Sequence, residues 1–149
     1  MEMKKPLPPF YLFMALVVMA TLHFALPVYR YWTLPVSLLG VVPLTLGIAL
    51  NLSADQAFTK HNTTVKPFEQ SSALVTGFPF SISRNPMYLG LTLMLIGVAL
   101  FLGSISALVP ALVFPYLMSR VFIREEEQML AATFGTVWAE YRSAVRRWI

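Results

Sequence analysis

The 149-residue chain contains no cysteine. That excludes disulfides, thiolate metal sites and cysteine nucleophiles together. Its two histidines, His23 and His61, stand far apart, so neither a zinc nor a di-iron centre has a ligand set to draw on. Charge is scarce as well: 12% of residues are charged and the net charge is +4. The basic residues flank apolar runs instead of forming a patch, which is not the footprint of a nucleic-acid binder. A glycine-rich phosphate loop is missing too, so a polyphosphate fits poorly.

What the chain has in quantity is apolar surface. It is 57% hydrophobic with a mean hydropathy of +0.67, too apolar for an ordinary soluble domain of this size. The expected class is an all-α integral membrane protein, one membrane-embedded domain over residues 1–149. Four hydrophobic runs stand out, roughly 10–29, 33–53, 86–102 and 104–123, each near the ~20 residues that cross a bilayer. Gly103-Ser104 leaves little linker between the last two, which predicts a tight helical hairpin. Pro43, Pro110 and Pro115 interrupt the second and fourth runs and predict bends there. For the first run a cleaved signal peptide is the rival reading. Tyr29, Tyr31 and Trp32 close it like an interfacial belt, however, and no small-x-small cleavage site follows.

Charge placement orients the runs. With four crossings, one side holds ten basic residues: Lys4, Lys5, Lys60, Lys66, Arg84, Arg120, Arg124, Arg142, Arg146 and Arg147. The other side keeps Arg30 alone. Both termini and the central loop are therefore expected in the cytoplasm, and the glycosylation-like triplets at Asn51 and Asn62 are chance matches. That loop, from Ala54 to Ser83, includes Thr63-Thr64-Val65-Lys66-Pro67. It also carries enough apolar residues to pack on something. After the fourth run a helix is expected from Glu125 to Phe134, with Gly135 as its C-cap. Trp138, Tyr141, Val145, Trp148 and Ile149 then recur at helical spacing, which predicts an interfacial amphipathic helix, a surface anchor or a lid.

Ser83-Arg84-Asn85-Pro86-Met87-Tyr88-Leu89-Gly90 marks where the polar loop turns into the third run. Pro86 suits a first helical turn. The fourth run brings the chain back to Arg124-Glu125-Glu126-Glu127, so two polar clusters should meet at one end of the hairpin. Three glutamates at a helix end most often form a solvated face; here they should lie close to Arg84. Carboxylates, an arginine, the Asn85 amide and aromatics such as Phe78, Phe80 and Tyr88 suit a zwitterion that carries a flat ring.

Leu74-Val75-Thr76, then Ser83 to Gly90, then Glu126-Glu127-x-x-Leu130-x-x-x-Phe134-Gly135 resembles the isoprenylcysteine carboxyl methyltransferase and phospholipid methyltransferase superfamily. Each motif alone is weak; three in order are fairly specific, and they cover about residues 60–149. The resemblance implies S-adenosylmethionine as cofactor and a lipophilic acceptor (carboxylate, amine or thiol) reached from the bilayer, with no metal. It also implies a two-helix N-terminal part, 1–53, and a cofactor-binding part, 54–149. Ser72, Ala73, Leu74, Val75 and Phe80 would line the cofactor cleft, continued by Asn85, Pro86, Met87 and Tyr88. Glu126 would hold the cofactor's positive end, Glu127 would support it, and Arg84 would orient them or meet the cofactor carboxylate. Isoprenylcysteine enzymes place a substrate-binding arginine where Phe122 stands, flanked here by Arg120 and Arg124, which argues against a prenylcysteine acceptor. Gly77-Phe78 and Trp138 also depart from the family pattern. Two other readings remain: an NADPH-dependent membrane reductase of the sterol reductase type, which Pro86-Met87-Tyr88 argues against, and a non-catalytic membrane scaffold.

Overall fold

The computed structural model describes residues 6–26, 28–30, 35–63 and 72–149. Lys4, Lys5, Tyr31, Trp32 and the Thr64-Val65-Lys66-Pro67 stretch, all used in the sequence argument, lie outside the described residues. Among the described residues there is no strand, only an isolated bridge between Arg30 and Ser104. Helix α1 spans Pro8–Ala25, α2 Val41–Lys60, α3 Pro86–Leu102, α4 Ile105–Met118 and α5 Arg124–Ala144. A 3-10 turn, Val36–Gly40, leads into α2, and a π-helical turn, Ser119–Ile123, joins α4 to α5. Three continuous helical segments, Pro8–Ala25, Ser37–Lys60 and Ile105–Ala144, are long and apolar enough to cross a membrane, and Pro86–Leu102 is a shorter apolar helix.

The hairpin forms as its sequence requires. Pro86 opens α3, where its missing N–H costs nothing. Gly103 closes α3 at φ 69°, ψ 25° and donates its N–H to Ala99 O, the left-handed turn that glycine adopts most cheaply. Two expectations fail. Pro43 does not interrupt its run: it lies in the first turn of α2, directly after the 3-10 turn, and the helix continues through it. The second helix also continues to Lys60, past the expected end near Ser53.

Helix α3 is the middle of the bundle, with α2 along one side and α1 and α4 along the other. The α2 contact is backbone to backbone: a Cβ on Gly47 would lie 2.5 Å from Gly90 O. Small residues allow such approach where apolar burial between helices drives little. On the other side Met19, Leu95, Ala99, Ala107, Ala111, Phe114, Met118, Phe122 and Ile123 form the main core with Tyr88. At the far end from Tyr88, Ile105 N donates to Tyr29 O at 3.3 Å and His23 Nδ1 sits 2.8 Å from Ser104 Oγ. These contacts fasten the end of α1 to the α3–α4 turn, so His23 is a satisfied packing residue.

A second cluster lies apart from the bundle core. Ala54 and Ala57 of α2, Val75 and Phe80 of the loop, and Trp138 and Tyr141 of α5 are buried together. The loop therefore packs, as its apolar content predicts. Helix α5 departs from helical geometry at Gly135 (φ 51°, ψ −117°) and then resumes. The stop expected at Gly135 is thus present, as a break between two helical stretches. The final helix also stops at Ala144: Val145 is extended at φ −119°, ψ 132°, so the helical spacing expected through Ile149 does not hold.

Candidate active site

The π turn sets up the site. Its wider turn accommodates an extra residue, and Arg124 N donates to Ser119 O across it. Phe122 and Ile123 consequently both point into the core, fully buried. Phe122 stacks on Tyr88 at 6.0 Å and meets Tyr11 edge-on at 5.4 Å. One turn later Glu126 and Glu127 of α5 separate. Tyr88 Oη donates to Glu126 Oε1 at 2.7 Å, while Arg84 Nη2 donates to Glu127 Oε1 at 3.0 Å. The hairpin thus brings the Arg84–Tyr88 stretch against the glutamates, and adjacent acids take different partners because helical neighbours point about 100° apart.

Glu127 is an anchored ion. Arg147 Nε donates to its Oε1 at 3.1 Å and Arg147 Nη2 to its Oε2 at 2.5 Å. The bond to Glu127 holds the Arg147 guanidinium above its usual pKa. Arg84 also donates Nη1 to Arg142 O at 2.9 Å and lies 5.8 Å above the Trp138 ring. Its Nε is buried with no hydrogen-bond partner among the described residues. Glu126 is different. It accepts from Tyr88 and makes no other hydrogen bond among the described residues. Burial pushes its carboxyl up to about 7; the Tyr88 bond works against this, and Glu127 and Glu125 add to it. A desolvated acid with a free oxygen has a strong reason to meet a cation.

Of the residues expected to line a cofactor cleft, Val75 and Phe80 are in the second cluster, and Leu74 and Met87 pack against it beside Leu130 and Phe134. Leu130 and Phe134 follow Glu126 at four and eight residues, so they extend its helical face. Phe58 meets Phe80 edge-on at 4.9 Å. Ser72 stands elsewhere: it is exposed, bonded to Asn62 O and Thr63 Oγ1 at 3.1 Å each. Ala73 is half-buried, and Pro86 is fully buried under the helix start. Asn85 gives its side-chain amide to Arg147 O at 3.0 Å. Arg124 is exposed, and so is Arg120, over the Tyr116 ring at 5.2 Å. His61 caps α2 and is exposed, with Nδ1 2.8 Å from Ala57 O.

Sequence reasoning missed the contribution of the last twelve residues. Tyr141 Oη donates to Phe80 O at 2.7 Å; burial pushes this phenol up to about 12, partly offset by Arg84. Ser83 Oγ donates to Arg147 O at 3.1 Å, and Arg84 N to Arg146 O at 3.0 Å. Helical spacing puts Arg147 opposite Trp138 and Tyr141, and no local pattern signals that the chain doubles back.

The phospholipid methyltransferase family matches this chain over residues 36–137. The chain belongs to that family. Residues 36–137 take in α2, α3, α4 and α5 as far as the Gly135 break, and so both Tyr88 and Glu126. The chain is 45% identical over 61 residues to the phosphatidyl-N-methylethanolamine N-methyltransferase of Saccharomyces cerevisiae, a match covering 41% of this chain and 29% of that protein. It is 54% identical over 43 residues to the protein of the same name in Emericella nidulans, covering 28% and 21%. An uncharacterized protein of Haemophilus influenzae is 35% identical over 63 residues, covering 42% of this chain and 100% of that one. The matches thus span less than a third of either named relative. No solved structure matches this family member.

Proposed function

We propose that this phospholipid methyltransferase family member is a membrane enzyme that moves a methyl group from S-adenosylmethionine to the amine of a phospholipid. The observation that carries the reading is Glu126: a half-buried carboxylate, singly bonded to Tyr88 at 2.7 Å, inside the stretch that matches the family. The names of the two fungal relatives favour an amine over the carboxylate or thiol acceptors that the sequence leaves open. The order Pro86-Met87-Tyr88 and the family match speak against a reductase.

The residues present suit the cofactor. Glu126 offers an oxygen to its cationic end, and Leu74, Val75, Phe80, Met87, Leu130 and Phe134 offer apolar walls to a flat ring. Asn85 and Pro86 shape the helix start behind them. When bound, S-adenosylmethionine supplies an already activated methyl on a sulfonium, so the protein's task is alignment and exclusion of water. Tyr88 holds the Glu126 carboxylate in place, and Glu127 with Arg84 fixes the helix that carries it. Ser72 and Ala73, at the edge of the loop, would contribute backbone contacts. Arg120 and Arg124 would meet the lipid phosphate at the surface, with Phe122 as the buried pivot between them.

In this reading the four apolar helices cross the bilayer, and both termini, the loop and the site face the cytoplasm. The chain is a single membrane-embedded domain with α1 and most of α2 as its N-terminal part. Crossing four ends at the π turn, and α5 lies beyond it at the surface.

The reading is tested by thermal shift in detergent with S-adenosylhomocysteine and with NADPH, and by methyl incorporation into vesicles containing phosphatidyl-N-methylethanolamine. Stabilisation by the first ligand alone and labelled lipid are expected. Response to neither ligand favours the scaffold. Glu126→Ala should weaken S-adenosylhomocysteine binding about tenfold or more without loss of membrane insertion.

A further inference from the structure

The tail after α5 is fastened to the loop before α3 by side-chain and backbone bonds alike. Arg84 N donates to Arg146 O, and Ser83 Oγ and Asn85 Nδ2 both donate to Arg147 O, at 3.0 to 3.1 Å. Arg147 then turns its guanidinium onto both oxygens of Glu127, opposite Arg84. The Arg84 and Glu127 side chains are 9% and 12% exposed, and that of Arg147 is 35% exposed. So the outer face of a nearly buried ion pair is closed by a residue beyond the family match, which ends at 137. Trp148 packs against the main core next door.

We propose that Arg147 is a positioning residue of the site: it neutralises Glu127 from the outer side and holds α5 in register, leaving Glu126 as the acid available to a cationic ligand. The proposal rests on the methyltransferase reading for the identity of that ligand, but not for the geometry. Two acids on one turn repel when neither is compensated. Arg84 alone serves one oxygen of Glu127; with Arg147 both oxygens are paired, the bidentate arrangement arginine makes and lysine does not. Among the described residues, the charged and titratable groups around the two acids include Tyr88 from α3, Arg84 from the loop, Arg124, Glu125 and Tyr141 on α5 and Arg147 from the tail. From α1, Tyr11 reaches the Phe122 ring. From α2, Ala54, Ala57 and Phe58 face the neighbouring cluster, whereas Asp55, Lys60 and His61 are exposed.

The test follows the Glu126 carboxyl through a pH titration by NMR, using the full chain labelled with 13C-glutamate in detergent and assigned by loss of its signal in Glu126→Gln. Arg147→Gln should move the midpoint up by about half a unit or more, because Glu127 is left less compensated beside it. Arg147→Lys should move it part of the way, and Arg146→Gln, which removes the neighbouring exposed charge, should not move it. S-adenosylhomocysteine calorimetry should show about twofold or more weaker binding to Arg147→Gln at neutral pH, with the same upward shift in its pH profile. An unmoved Glu126 midpoint in Arg147→Gln overturns the proposal. So does loss of the folded state in both Arg147 variants, which would make the tail a stability element only. Failure of the unaltered chain to bind S-adenosylhomocysteine at any pH overturns the methyltransferase reading instead, and the carboxyl titration still decides the role of Arg147.

Discussion

The two buried regions of this molecule are held by different physics. The main core, from Met19 through Ile123, is apolar packing among α1, α3 and α4 with Tyr88 at its edge. The second region, around Trp138, Tyr141, Arg84 and Glu127, joins aromatic packing to an ion pair and to bonds between loop and tail. In the first, each residue is interchangeable with another of similar size and shape at modest cost. In the second, removing one partner strands the other, so the cost depends on what remains. The second region is therefore the less tolerant of single changes.

The comparison can be broken with single changes. Phe122→Ala, in the fully buried pivot under Tyr88, should cost about 4 kcal/mol in detergent unfolding. It is expected to lower the melting temperature at every pH by a similar amount. Glu127→Ala leaves Arg84 nearly buried without its counter-charge and should cost about 3 kcal/mol. Unlike the core change, it should also reshape the pH dependence of melting; identical profiles for the two variants would erase the distinction. Gly135→Ala forces a Cβ onto a backbone at φ 51°, for about 1–3 kcal/mol. Open space surrounds that position, so its effect is on the path of α5 and not on packing.

Smaller effects sharpen the contrast. Tyr141→Phe removes the bond to Phe80 O and should cost about 1 kcal/mol, read as a small drop in melting temperature. Glu126 should show its influence through pH alone. Burial raises its carboxyl to about 7, above the ~4.3 of a free glutamate. A raised acid favours the protonated fold, so its contribution is complete below about pH 4 and is lost as pH climbs through 7. The melting temperature of the ligand-free protein should therefore fall between pH 5 and 8, and Glu126→Gln should flatten that slope. Binding of a cationic ligand should run the other way, strengthening as pH rises through 7.

The third run, residues 86–102, matches α3 from end to end, because Pro86 and Gly103 mark a start and a stop in local backbone terms. The meeting of Arg84 with the glutamates also follows from a short hairpin, since two helices with almost no linker must return to the same end. The end of α2 was less legible. Its polar continuation to Lys60 is helical because Ala54 and Ala57 find Val75, Phe80, Trp138 and Tyr141 to bury against, partners far away in the chain.

Composition and periodicity by themselves determined that this is a helical chain with apolar runs of membrane length, and where its tightest turn lies. Those properties depend on residues within a few positions of each other. Only the tertiary structure decided that Glu126 and Glu127 have separate partners, and that residues 145–149 leave the helix to bind the loop. The reason is physical. A π turn shifts helical phase by one residue, and a tail gives up its helix when backbone donors and a buried carboxylate, distant in sequence, offer its carbonyls and its arginine better partners than water does.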